Sequence, residues 1–212
     1  MQDLHNIRKE YILLELDEAN INPNPFKQFS DWLDDALSSD NLYPNTMILS
    51  TVSAENRPSS RIVLLKQYSE KGFDFFTNYK SKKGRHLENF GFASLLFFWP
   101  EFQRQVRIEG KVEKLSADKS DEYFLKRPFE SQVSAWASPQ SNIIPNRRTL
   151  IDWHEEFKSV FKDTLPKRPP HWGGYRLLPD LFEFWQGREN RLHDRIEYIK
   201  EKEGWKFHRL AP

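Results

Sequence analysis

Between Met47 and Leu115 the chain repeatedly alternates short β-branched and aromatic runs with turn residues, and this rhythm restricts the fold more than any other feature. The runs are Met47 to Val52, Arg61 to Tyr68, Phe73 to Asn78, Ala93 to Trp99 and Gln103 to Leu115, with Glu55-Asn56-Arg57-Pro58 and Glu70-Lys71-Gly72 as punctuation. Five strands at such spacing predict an antiparallel sheet or barrel. Four more follow the proline-rich connector Pro166 to Pro170: Gly174 to Leu178, Leu181 to Gln186, Asp194 to Lys200 and Trp205 to Arg209. Helical patterns flank them. Phe26, Phe29, Trp32, Leu33, Ala36 and Leu37 form one apolar stripe. Ser116 to Lys126 reads as a helix with Ser116 as its cap, Ser131 to Ala137 as a short one, and Asn146 to Phe161 as a longer one. The expectation is an α+β protein built around a barrel.

Leu4 to Leu16 mixes charged and apolar residues at helical spacing, and Asn20 to Pro25 breaks the pattern. Residues 1–25 are therefore expected to be a mobile N-terminal arm and residues 26–212 a single domain. Net charge is +1, with 32 basic residues against 31 acidic ones, so no overall field draws the chain to nucleic acid or anionic lipid. Any anion site must be built locally. The absence of cysteine removes disulfides, thiol nucleophiles and thiolate metal sites, and the histidines make no convincing ligand set, so no metal site is expected. Redox chemistry would need a borrowed cofactor. No run approaches the ~18 apolar residues of a spanning helix, and the first residues lack the order of a signal peptide. A cytoplasmic protein with no membrane partner is the expectation.

Several constellations could carry chemistry. In Arg61-Ile62-Val63-Leu64-Leu65-Lys66 an extended chain places Arg61 and Lys66 on opposite faces, suited to two different anions; a core strand with solvated ends is the alternative. Ser81-Lys82-Lys83-Gly84-Arg85-His86 is a basic patch where a helix is expected to begin near Gly84, suited to phosphate or simply solvated. Tyr123 and Arg127 share a helical face, with Ser131 beyond Pro128, a phenol, a guanidinium and a hydroxyl that could cradle a phosphate. If Arg191 to Arg195 is extended, Arg191, His193 and Arg195 line one face near Trp185 and need something anionic or electron-rich against them. Gly-x-Gly-x-x-Gly, P-loop and Gly-x-Ser-x-Gly motifs are absent.

Together with Phe76-Thr77-Asn78, Arg104-Gln105-Val106, Tyr123 to Pro128, Ser138-Pro139-Gln140-Ser141, Trp172-Gly173-Gly174 and the run Phe182 to Arg195, these segments closely resemble the pyridoxamine 5'-phosphate oxidases. The resemblance runs from about Arg8 to Pro212. It implies an FMN-binding antiparallel split barrel with peripheral helices, assembled as a homodimer with FMN at the subunit interface. Arg61 to Lys66, Phe76, Thr77, Lys82, Lys83, Gln105, Gln140 and Ser141 would bind FMN, and Trp185 and Arg195 would reach it from the partner subunit. Lys66, Tyr123, Arg127 and Ser131 would take the substrate phosphate, and Arg8 and Tyr11 would close over the substrate. Arg191 and His193, with Leu192 between them, would contact the pyridine ring and serve as the catalytic pair. The implied reaction converts pyridoxamine or pyridoxine 5'-phosphate and O2 to pyridoxal 5'-phosphate and hydrogen peroxide.

This chain departs from the family pattern at Lys82, where many relatives carry Arg, at Phe76, where Tyr is common, and at Tyr43 before Pro44, where an acid is frequent. A split-barrel flavin reductase and a non-catalytic FMN or pyridoxal phosphate carrier are the alternatives.

Overall fold

The computed structural model describes residues 13–212. Its elements run α1 (Pro25–Leu37), β1 (Thr46–Val52), β2 (Pro58–Leu64), β3 (Gln67–Ser69), β4 (Gly72–Asn78), α2 (Lys82–Phe90), β5 (Phe92–Trp99), β6 (Arg104–Lys114), α3 (Ala117–Leu125), α4 (Phe129–Ala137), α5 (Arg147–Val160), β7 (Trp172–Gln186), β8 (Asp194–Glu201) and β9 (Gly204–Arg209). The strands join in one sheet of order β2-β1-β5-β6-β7-β4-β3, with β8 added to β7 and β9 to β8. By its contacts the chain divides into two compact units. One comprises the described part of Met1–Leu49 with Ser94–Gly110 and Pro179–Pro212; the other comprises Ser50–Ala93 and Lys111–Leu178.

The first unit is organised by α1. Asn24 caps it by accepting from the Phe26 amide, and Pro25 pre-sets the first turn. The apolar stripe then buries Phe26, Phe29, Trp32, Leu33 and Ala36. Phe29 meets Phe97 edge-on at 5.0 Å, and Trp32 meets Phe184 at 5.2 Å. Beside this core, Arg104 stacks on Trp32 while its Nε donates to Gln186 and its Nη1 to Asp35. Residues 13–24, in the segment read as a mobile arm, are tied down: the Leu16 amide donates to Asp194, and Tyr198 donates its hydroxyl proton to the Asn22 carbonyl.

The second unit is built on β4, whose pairing with β7 runs antiparallel from Phe73↔Leu177 to Asn78↔Trp172. Both faces of β4 are largely buried, and Asp74 makes a bidentate pair with Arg176 across the strands. Helices α2, α3 and α5 begin at side-chain caps from Ser81, Ser116 and Asn146. Phe124, Ala135 and Trp172 form a further small core, against which Phe76, Tyr123 and Trp136 pack.

Three strand expectations are corrected. Arg61 to Tyr68 is two strands, because the chain leaves β2 after Leu64, buries Leu65 and bonds the Lys66 amide to the Asp74 carbonyl before β3. Conversely, Gly174 to Gln186 is one continuous strand through Pro179: β7 pairs with β4 before that proline and with β8 after it, so a residue without an N–H marks a change of partner rather than an end. Arg191 to Arg195 is not extended throughout. Glu189–Arg191 is a 3-10 turn with Asn190 and Arg191 at φ 54° and 61°, and β8 starts only at Asp194, so Arg191 falls outside the alternation.

Gly72 adopts φ +127°, and a Cβ there would lie 2.1 Å from the Leu177 carbonyl oxygen; Gly204 adopts φ +95° with open space around it. Both should lose roughly 1–3 kcal/mol on substitution by Ala through backbone strain, and Gly72→Ala should lose more because of the clash. Thermal denaturation of the two variants checks this; equal shifts would contradict it.

Candidate functional site

A cavity of about 630 Å³ opens within the second unit, lined from three directions. Ile62, Val63, Leu64 and Lys66 come from β2 and the residues after it, Phe76 to Asn78 from the end of β4, and Tyr123 to Ser138 from α3 and α4. Lys83 and Gln140 complete one part of the wall and Trp172 another. The size is that of a small-molecule or cofactor site.

Lys83 lies in the first turn of α2, where the Ser81 cap opens the helix. Its Nζ donates to Thr77 Oγ1 at 3.1 Å, Gln140 Oε1 at 3.1 Å and Ser81 Oγ at 3.4 Å. All three partners are neutral. Burial, and then the charge of Arg61, pull the Lys83 ammonium down to about 8. Arg61 is half-buried, with Nη1 on Thr51 Oγ1 and Nη2 on Ser59 Oγ. A cation held by neutral oxygens at a helix N-terminus is poised for an anion.

Arg127 makes a second positive centre. Its guanidinium lies 4.6 Å from the Trp172 ring and 5.7 Å from Phe124, and its buried Nη1 has no hydrogen-bond partner among the described residues. Gln132 fixes the turn before it by donating to the carbonyls of Leu125 and Arg127. Tyr123 stacks on Phe76 at 3.9 Å, and Lys66 Nζ sits 5.9 Å from the Tyr123 ring. Ser131, at the start of α4, lines the same cavity. An unsatisfied guanidinium N–H beside a hydroxyl, a phenol and an ammonium offers bidentate recognition of a phosphate.

Of the other expected residues, Lys82 is exposed, and Ser141 is exposed with φ 71°, next to Gln140. Leu65 is buried, pointing away from the cavity-lining Leu64 and Lys66. Gln105, Trp185, Arg191, Leu192, His193 and Arg195 belong to the first unit. There the Arg188 amide donates to His193 Nδ1 at 3.1 Å, and the His193 ring lies 4.6 Å from Trp185. Burial first, and then Arg191, lower the His193 pKa. Arg191 and Leu192 are exposed. Arg195 donates from Nε to the buried Glu183, which also receives Arg107, and from Nη1 to the Ala211 carbonyl. Arg8 and Tyr11 lie outside the described residues.

Trp172 carried no assigned role in the sequence reading although its motif was noted; only folding brings it under Arg127. Thr51 and His86, which meet each other while Thr51 also accepts from Arg61, lay in segments that were noted but carried no assigned role.

The profile of the pyridoxamine 5'-phosphate oxidases matches residues 33–160. The chain belongs to the pyridoxamine 5'-phosphate oxidase family. Residues 172–212 match the family's pyridoxine 5'-phosphate oxidase C-terminal dimerisation region. The pyridoxine/pyridoxamine 5'-phosphate oxidase of Burkholderia multivorans is 52% identical over the full length of both chains, and that of Burkholderia thailandensis 51% identical over the same extent. Among solved structures, PhzG of Burkholderia lata, crystallised with tetrahydrophenazine-1-carboxylic acid, is 30% identical with a TM-score of 0.88, covering 96% of this chain and 100% of that one. An FMN-binding relative from Nostoc punctiforme, 15% identical, shares the fold with a TM-score of 0.70 over 93% of this chain and 99% of its own. The expected α+β split barrel with peripheral helices is thus the observed fold. Among the described residues no helix is long and apolar enough to cross a membrane.

The depressed Lys83 pKa is directly testable. Amine acylation mapped by mass spectrometry should show Lys83 reacting with a midpoint near pH 8 in the ligand-free protein, well below ordinary lysines at about 10.4. A phosphate ligand should protect it and move the midpoint upward, because an anion favours the charged form. A Lys83 profile matching the surface lysines would contradict the assignment.

Proposed function

We propose that this protein is an FMN-dependent homodimeric oxidase that converts pyridoxamine 5'-phosphate and pyridoxine 5'-phosphate to pyridoxal 5'-phosphate. The observation that carries the reading is a single cavity with two separately held positive centres, Lys83 with Arg61 behind it and Arg127 with Lys66, Tyr123 and Ser131. FMN and a phosphorylated vitamer together bring two phosphates. The residues fit FMN: a half-buried ammonium with neutral partners and a capped helix N-terminus suit its phosphate, and Thr77 and Gln140, already gathered around Lys83, suit its polar groups. The dimerisation region supports a second subunit, and Trp185 and Arg195 are assigned to the flavin of that partner.

Held by Lys83, Arg61, Thr77 and Gln140, FMN would supply the electron chemistry of the C4' oxidation, with dioxygen as the final acceptor and hydrogen peroxide as its product. The amine substrate consumes one water and releases ammonia as its imine hydrolyses; the alcohol needs no water. Within this scheme Arg127, Lys66, Tyr123 and Ser131 anchor the substrate phosphate, so binding energy far from C4' fixes the ring's position. Arg188 N–H occupies Nδ1 of His193, so the neutral imidazole carries its proton on Nε2 and presents a donor there. The lowered pKa keeps that ring neutral at physiological pH. Arg191 and His193 are assigned to orient the pyridine substituents, and Leu192 and the N-terminal Arg8 and Tyr11 to enclose them. The Glu183 carboxylate fixes the posture of Arg195, which would stabilise negative charge on the reduced flavin.

The test is anaerobic: pyridoxamine 5'-phosphate added to the FMN-loaded protein should bleach the flavin's visible band with stoichiometric aldehyde, and air should restore it. A flavin that responds to a nicotinamide or to a reduced phenazine acid, and not to the vitamer, would reject the reading. His193→Ala should slow flavin reduction by ~10²-fold or more with FMN still retained. Normal reduction with lost FMN would remove His193 from the proposed role.

A further inference from the structure

Behind Arg61 three side chains from three elements meet. Thr51 lies near the end of β1 at 2% exposure, His86 lies in α2 at 6%, and Arg61 reaches in from β2. Arg61 Nη1 is 2.8 Å from Thr51 Oγ1, and Thr51 Oγ1 is 3.0 Å from His86 Nδ1. The direction of each proton follows from chemistry. A guanidinium can only donate, so the Thr51 oxygen accepts from Arg61. The threonine's own proton then has two acceptors, His86 Nδ1 at 3.0 Å or the Ser59 carbonyl at 3.5 Å, and the shorter and better one is the imidazole. With Nδ1 accepting, His86 is neutral and carries its proton on Nε2. The other guanidinium nitrogen is held by Ser59 Oγ, so Arg61 is fixed on both sides of its fork.

We propose that His86, acting through the Thr51 hydroxyl, is a positioning residue for Arg61 and links phosphate holding at this site to uptake of a proton. The proposal rests on the reading of Arg61 and Lys83 as the FMN phosphate site. Protonation of His86 reverses the relay: Nδ1–H donates to Thr51, and the hydroxyl proton turns to the Ser59 carbonyl. It also adds a positive charge among Arg61, Lys82 and Arg85, with Glu55 the acid among the described residues that bears on the ring. Without an anion that charge is unwelcome, and burial followed by these cations lowers the His86 pKa. A phosphate dianion in front of Arg61 and Lys83 reverses the balance and raises it. Binding then takes up a proton, so affinity rises as pH falls through the window between the free and bound pKa values of His86. The ligand phosphate, with a second ionisation near pH 6, pulls the other way, and comparison with a non-titrating variant removes that contribution.

The experiment measures FMN dissociation constants by flavin fluorescence between about pH 5.5 and 8 for the wild type, His86→Asn, Thr51→Val and Arg61→Gln, with riboflavin as the phosphate-free control. His86→Asn retains an acceptor for Thr51 at the Nδ1 position, and its affinity should match the wild type within about threefold near pH 8, where His86 is neutral. Toward low pH the wild type should gain on it, by about tenfold for each unit by which FMN raises the His86 pKa. Thr51→Val should weaken FMN by about tenfold or more across the range through loss of one charged hydrogen bond. Riboflavin should show no difference among variants. Parallel wild-type and His86→Asn curves would overturn the proton link. A His86 Cε1 proton resonance whose midpoint FMN leaves unmoved would overturn it without any variant. An Arg61→Gln variant that binds FMN normally would instead sink the underlying phosphate assignment, so the two failures are distinguishable.

Discussion

A half-buried ammonium whose hydrogen-bond partners among the described residues are all neutral is the constraint on which the site turns. Lys83 gathers Thr77 from the end of β4, Ser81 from the start of α2 and Gln140 from the segment after α4, and every partner is neutral. Such a group stays charged at neutral pH only at a cost, which an incoming anion relieves. The rest of the second unit holds this arrangement in place. β4 is buried on both faces, clamped to β7 along six residue pairs, and locked by the Asp74–Arg176 pair, so the residue that ends it, Asn78, and Thr77 before it have little freedom to retreat from the cavity.

The second positive centre is built differently. Arg127 is packed on aromatic faces rather than hydrogen-bonded by its head group, and Gln132 stiffens the chain beneath it. The Phe76–Tyr123 stack then joins the two halves of the cavity wall through ring contact. Phe76 makes that stack without a hydroxyl. In the first unit the same economy recurs with opposite sign: one buried carboxylate, Glu183, serves both Arg107 and Arg195. Burial alone would raise its pKa, but the two guanidinium groups outweigh that and hold it low. Asp194 similarly binds the Leu16 amide and Arg209, tying the chain entering from the N-terminus to the turn that carries Arg191 and His193.

Much of the fold was legible because its signals are local. Phe26, Phe29, Trp32, Leu33 and Ala36 of the expected stripe formed the buried face of α1, while Leu37, read with them, is exposed, and Ser116 and Asn146 capped the helices they were expected to start. The errors fell where tertiary partners decide. Only the pairing of β7 with β4 and then β8 explains why Pro179 does not end the strand, and only the His193–Arg188 contact and the φ values at Asn190 and Arg191 explain a turn where alternation suggested extension. At the site, the geometric readings missed: β2 ends at Leu64, before Lys66, and α3 ends at Leu125, before Arg127, although Lys66, Tyr123 and Arg127 do line one cavity; the roles assigned to them came from family resemblance. Thr51 and His86 were not readable. They are 35 residues apart and meet through a fold that no single-segment pattern encodes.

The central claim is that one cavity holds two phosphates on two independent positive centres. Its most direct measurement is a crossed comparison of Lys83→Met and Arg127→Ala, scoring FMN retention and, with FMN saturating, the kcat/KM ratio for pyridoxamine 5'-phosphate over pyridoxamine. Loss of one charged hydrogen-bonding partner, at about 1.5–3 kcal/mol, should let Lys83→Met release FMN while keeping the substrate preference. Arg127→Ala should retain FMN and lose most of that preference. An Arg127→Ala protein that sheds FMN yet discriminates between the two amines as the wild type does would contradict the account.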